Sequence, residues 1–547
     1  MAARLRAVFT MLAMLSFGIQ AHAATEDALA PVLQGEFALQ AGDGAMATSK
    51  YLDAARATDD PALARRATQV ALLSHENALA AQALVRWRQL DPTADDLAAA
   101  EALLALRTGD RATASRVLLA MLDTGSDGCM RAIRVLALAT DSAMSAPVAG
   151  DLFKLGHWPR DIAAWLAFGE LSRRLGDPVL TRNIVGDVVR RFPDEPRAWL
   201  LESARLREQG DPAAARRAIG HALAVGVADA TVRTAAAGEF ALLDDPGAAA
   251  GVLSGGPQDD ASYIARAAYL AQAEDSAGLA GLYAEVKSHA PSPDAEGRLL
   301  LGQLAEYLKH DDEALAWYRG LPSGVAHDQA QNRIAIVLDG RGDLDGALAV
   351  LRAQQHDERA DEDAQRDSYQ VEADLLAGHG RKDEALAVYS RGLAFFDDDQ
   401  SLLYSRALLL EGMDRVADAE TDLRKIVAQD PDNAEALNAL GYTLADRTNR
   451  YAEAQVLIEK ALRLQPDSPA YLDSLGWVQH RLGHDSEALR NLRRAFALQK
   501  DADIAAHLGE VLWLEGDKAG ARAVWMQGFS IDKDSDALHR MVQTYHP

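Results

Sequence analysis

The stretch LDSLGWVQHRLGHDSEALRNLRRAFALQ, residues 472–499, decides the fold. Leu472, Leu475 and Gly476 share one helical face, and Ala488 and Leu492 share another twelve residues on. Two antiparallel helices approach closely only where a side chain is nearly absent on both facing surfaces, so Gly476 and Ala488 mark the contact and the leucines fill the space around it. Gly483 ends the first helix and permits a tight turn, and Pro466 closes the preceding unit. The same arrangement stands on either side, as LNALGYTLAD at 437–446 and as AHLGEVLWLEGDKAGARAVWMQGF at 506–529. Gly441, Gly476 and Gly509 lie 35 and 33 residues apart, and Ala454, Ala488 and Ala521 follow them by 13, 12 and 12.

Working outward, fainter copies cover most of the chain. Gly302/Ala314, Ala335/Ala347, Ala373/Ala385 and Ala407/Ala419 repeat the twelve-residue separation down to Pro431. Trp165 and Trp199 stand 34 apart at a first-helix aromatic position. Near the N-terminus, Gly35, Ala47 and Tyr51 occupy equivalent places; Ala81 follows Gln69 by twelve, and Thr108-Gly109-Asp110 marks a turn. Two stretches keep the period poorly. Residues 123–160 hold Gly125, Gly128, Pro147, Gly150 and Gly156 and read as a degenerate unit or a break in the stack, and 230–297 is rich in alanine and glycine. The charged run from His356 to Asp367 reads as a solvated connector.

A 34-residue period with a small residue in each of two helices resembles the tetratricopeptide repeat family over nearly the whole chain. The resemblance implies an all-α fold, a right-handed superhelical solenoid of about fifteen helical hairpins, each burying its apolar faces against its neighbours. The organisation expected is 1–23, an export signal; 24–122, N-terminal repeats; 123–160, irregular; 161–297, divergent repeats; 298–432 and 433–535, regular repeats; and 536–547, a tail. The phrases LGYTLADR at 440–447, YLDSLGW at 471–477 and HLGEVLW at 507–513 resemble an exported proteobacterial type that includes an adaptor of a carboxyl-terminal processing protease. That resemblance implies a non-catalytic protein-binding scaffold in the periplasm, with a protease and its substrates, such as peptidoglycan hydrolases, as partners. The alternatives are a scaffold in polysaccharide export or outer-membrane assembly and an envelope enzyme with an unrecognised site.

Composition narrows the classes. A formal charge of −25 argues against general binding to nucleic acid or anionic lipid, both of which need basic patches. Arg4 and Arg6, the apolar run from Ala7 to Ile19 and Ala21-His22-Ala23 read as a cleavable secretory signal, with cleavage after Ala23. No cysteine stands there to accept a lipid, so membrane anchoring is not expected. The one cysteine, Cys129, allows no internal disulfide and reads as a small core filler.

First helices line the inner surface of such a stack, which can hold an extended peptide or a partner helix. Counting from the glycines, the candidate protein-binding residues are Asn438, Tyr442, Asp473, Trp477, His480, Glu510 and Trp513. Tyr442 and Trp477 directly follow their glycines and are expected to point away from their own hairpin core. No catalytic, metal or cofactor site is expected. His480 and His484 have chelating spacing, but Gly483 separates them; Asp532 to Asp536 lacks the glycine and glutamate of a calcium loop.

Overall fold

The computed structural model describes residues 26–94, 96–140, 143–289 and 293–546, with the side chains of residues 26 and 27 excepted. The expected export signal lies outside them. Every regular element among the described residues is an α-helix, 31 in all. In chain order thirty of them fall into successive couples, most packed directly on each other, and a last helix, Asp536–Tyr545, follows where a tail was expected. The chain divides into two compact units between Gly278 and Leu279.

Local chemistry sets the helix ends. Aspartates such as Asp43, Asp110, Asp343 and Asp517 stand at N-caps and accept a backbone N–H of the first turn. Pro178, Pro196, Pro212 and Pro469 occupy first-turn positions, where a missing N–H costs nothing. Gly109, Gly210, Gly342, Gly483 and Gly516 take positive φ between the two helices of a pair.

In the first unit, one core cluster runs from Ala55 to Ile184 and passes through Cys129, Leu136, Val148 and Leu152. The stretch 123–160, expected as a degenerate unit or a break, contributes two helices to this core. Its helices, Ser126–Ala137 and Ser145–Leu155, pack chiefly on their neighbours: the former on Leu97–Thr108, Arg111–Leu122 and Ile162–Arg174, the latter on Arg111–Leu122 and Pro178–Arg191. Cys129 is buried in this core, where burial first, and then Asp161 and Asp123, push its thiol up. The Trp165 and Trp199 indoles each donate to a proline carbonyl six residues back, Pro159 and Pro193, pinning the entry to their helices. One register in this unit differs from expectation. Thr68 and Ala80 are the buried pair, while Gln69 and Ala81 are exposed, because this repeat lacks a first-helix glycine to mark the contact.

In the second unit the twelve-residue pairs Gly302/Ala314, Ala335/Ala347, Ala373/Ala385 and Ala407/Ala419 are all buried. The charged run after Gln355 is only half connector: Asp361 caps the helix Glu362–Gly378, which takes up the remainder. Buried polar pins join the helices. Glu372, fully buried, receives Arg352 at 2.7 Å, Gln355 at 2.8 Å and Arg391 at 3.0 Å. Arg406 forks onto Asp422 with two 2.7 Å bonds. In the last three repeats, Ala434–Arg447, Pro469–Arg481 and Ala502–Leu514 are first helices, and each touches the next. A Cβ at Gly476 would lie 2.6 Å from Leu492 Cγ and 3.2 Å from the Ala488 carbonyl oxygen, so the predicted glycine–alanine contact is present. Gly441 meets Ile458 and Ala454 in the same way, and Gly509 meets the Trp525 indole.

Candidate protein-binding face

Successive first helices bring side chains from three repeats together. Asp473 and Trp477 sit one turn apart on Pro469–Arg481, as Asn438 and Tyr442 do on Ala434–Arg447. The Trp477 indole stacks on His507 of the following repeat, with ring centroids 4.6 Å apart and an angle of 21°. His507 Nδ1–H donates to Asp473 Oδ2 at 2.8 Å, and its Nε2 lies 3.5 Å from the Tyr442 hydroxyl. One imidazole thus joins Tyr442, Asp473 and Trp477.

Trp477 is only 8% exposed and Asp473 7%, because first helices converge at this level and each ring is covered by the next repeat. Tyr442 is half-buried. His480 borders the Trp477 ring, at 5.7 Å between centroids, but turns its Nδ1 to Asp485 at 2.6 Å in the following helix. His484 precedes that helix, so the two histidines do not share a face. Glu510 and Trp513 are drawn to the closing helix. Glu510 Oε1 accepts from the Tyr545 hydroxyl at 2.8 Å, and Trp513 lies 5.7 Å from Trp525 and 5.8 Å from Tyr545. His507 was absent from the sequence candidates. The signal that finds it is its separation from Asp473, 34 residues, one repeat along the same layer of first helices.

The electrostatics of the cluster are acidic. Burial first, then Asp446, Asp473, Glu411 and Asp503, push the Tyr442 phenol far up. Burial pulls the His507 imidazolium down, but Asp473, by charge and hydrogen bond, with Asp446 and Glu510 behind it, more than reverses this. Its pKa ends above the ordinary histidine value. Three buried polar atoms have no hydrogen-bond partner among the described residues: Asp473 Oδ1, Trp477 Nε1 and Asn438 Oδ1. A buried polar atom left unpaired costs about 1–3 kcal/mol, so three at one place stand out.

Residues 410–477 match the family model of the tetratricopeptide repeat. Those residues therefore carry tetratricopeptide repeats, a repeat class that mediates protein–protein contacts. It is 36% identical over 213 residues to a tetratricopeptide-repeat-containing protein of Pseudomonas aeruginosa, a match covering 38% of this chain and 35% of that protein. The matched part thus spans about a third of the relative's length. Among solved structures, a tetratricopeptide-repeat protein of Parabacteroides merdae aligns at 15% identity over 48% of this chain and 97% of its own, with a TM-score of 0.37. The Cut9–Hcn1 hetero-tetramer structure aligns at 13% identity over 95% of this chain and 96% of its own, with a TM-score of 0.34.

Proposed function

We propose that this protein is a non-catalytic scaffold of the cell envelope that holds a partner protein on the first-helix side of its C-terminal repeats. The observation that carries the reading is the cluster built by Tyr442, Asp473, Trp477 and His507 across three repeats, with unpaired polar atoms facing no partner of their own. The tetratricopeptide match at 410–477 takes in three of those four residues, Tyr442, Asp473 and Trp477. A stack that turns polar and aromatic side chains toward one layer of helices offers hot-spot chemistry without catalytic chemistry.

In its finer form, the scaffold recruits or activates a carboxyl-terminal processing protease and presents envelope substrates such as peptidoglycan hydrolases. Support for this form comes from the phrases at 440–447, 471–477 and 507–513. Location in the periplasm rests on the signal-like residues 1–23. Immobilised protein incubated with envelope extract is expected to retain a protease and its hydrolase substrates, identified by mass spectrometry; retention of neither overturns the adaptor form. N-terminal sequencing of protein from the periplasmic fraction is expected to begin at Ala24, and an intact Met1 overturns the export assignment.

A further inference from the structure

Five carboxylates stand around the cluster on four first helices: Asp446 is one turn from Tyr442 on Ala434–Arg447, Asp503 one turn from His507 on Ala502–Leu514, Asp473 bonds His507 directly, and Glu411 and Glu510 act on Tyr442 and His507 by charge. Their commitments differ. Glu411 lies 4.0 Å from Arg447, which Asp414 also holds at 2.8 Å. Glu510 accepts from Tyr545, and Asp473 spends one oxygen on His507. Asp446 and Asp503 have no side-chain hydrogen bond or ion pair among the described residues. The cations at hand are His507, held by Asp473, and Arg481, which donates to the Tyr451 hydroxyl at 2.7 Å and lies 5.7 Å from the Trp477 ring centroid; Arg540 reaches Asp503 only through its field. Negative charge is therefore in surplus beside two aromatic rings. Within the same patch the buried Asp473 Oδ1 lacks a donor, and the buried Trp477 Nε1–H lacks an acceptor.

We propose that this patch binds an arginine-bearing basic segment of the partner protein. A guanidinium is planar and carries five donors, so it can lie against an aromatic ring while forking onto carboxylates. Asp503, exposed, and Asp446, half-buried, supply the accessible acceptors, and Asp473 Oδ1 the buried one. Trp477 Nε1–H supplies a donor for a backbone carbonyl of the bound segment. The charge of the whole chain, −25, steers such a segment inward and raises its rate of association. This assignment rests on the scaffold reading and specifies its partner's chemistry.

The test uses the purified full chain and fluorescence anisotropy of a labelled peptide with three arginines spaced by serines. A second peptide carries citrulline, which keeps the shape and removes the charge. The site variant is Asp446→Asn with Asp503→Asn. Because any basic peptide adheres weakly to a protein this acidic, the control is Glu362→Gln with Asp383→Asn, which removes the same charge from exposed positions elsewhere in the second unit. The arginine peptide is expected to bind about tenfold more weakly to the site variant and within about twofold of wild type to the control, and the citrulline peptide about tenfold more weakly to wild type. Equal weakening by both variants, equal binding of both peptides, or no binding at all overturns the proposal. Circular-dichroism melts check that the variants fold. Retention of partners from envelope extract by the site variant, with peptide binding lost, leaves the scaffold reading standing without this site; an empty extract experiment with peptide binding intact does the reverse.

Discussion

At the residue scale, this chain is economical with two small side chains and one short acid. Glycine and alanine set the helix–helix distance, and aspartate caps the helices, so part of the surplus acid is architectural. Gly476→Ala places a methyl group 2.6 Å from Leu492 Cγ and close to the Ala488 carbonyl oxygen. It is expected to cost about 1–3 kcal/mol by overpacking, read as a lowered midpoint in urea unfolding at unchanged slope. An unshifted midpoint would mean that the hairpin relaxes and that the glycine is not required for close packing. His507 carries the second residue-scale prediction. The groups facing it are Asp473 and Trp477 from one neighbouring helix, Tyr442 and Asp446 from another, and Asp503 and Glu510 on its own. Its pKa is raised on folding, so its contribution is complete below the ordinary value near 6.5 and is lost as pH rises through the higher, folded value. The melting-temperature gap between wild type and His507→Gln should therefore be wider at about pH 6 than at about pH 9. A gap that is constant or widens with pH contradicts the pairing with Asp473.

At the element scale, helices are joined by polar pins as well as by apolar stripes. Glu372 connects Leu344–Gln355, its own helix Glu362–Gly378 and Lys382–Phe395 through Gln355, Arg352 and Arg391. Both arginines are half-exposed and regain water when the acid is removed, whereas Gln355 is buried and does not. Glu372→Ala is thus expected to cost about 1–3 kcal/mol, well short of the penalty for stranding a fully buried charge. Chemical denaturation measures it, and a loss below about 0.5 kcal/mol would show that the pin adds nothing beyond packing. A related lesson concerns Trp477. Its alanine variant reports first on packing, because truncating a buried indole costs about 3–5 kcal/mol, and the carboxylates around it are the better probes of binding.

At the scale of the whole molecule, repeats within each compact unit lean on their neighbours, so stability adds up along that unit's stack. The closing helix Asp536–Tyr545 seals the C-terminal end: Leu538 is fully buried, and Tyr545 stacks on Trp525 at 6.0 Å and bonds to Glu510. Removing residues 532–547 should raise hydrogen exchange in Ala502–Leu514 and Lys518–Ile531 while leaving Val325–Gly340 and Leu344–Gln355 at wild-type protection. Uniform loss of protection through the second unit would indicate that this part of the stack unfolds as one block.

The repeat, its period and its turns were legible in the sequence because they follow from local causes. A missing side chain at Gly441, Gly476 and Gly509 and a φ available to glycine at Gly483 leave marks that spacing alone displays. Where those marks fade, register slips by one residue, as at Thr68 and Ala80, since alanine-rich faces leave several registers of similar apolarity. The candidate face was legible in part. Tyr442, Asp473 and Trp477 share the first-helix layer, yet their burial and their joining through His507 depend on how closely one first helix lies to the next. That distance is set by side chains a full repeat apart. The sequence by itself determined which residues form each hairpin; the tertiary stack decided which polar groups are buried, paired or left with nothing to bind.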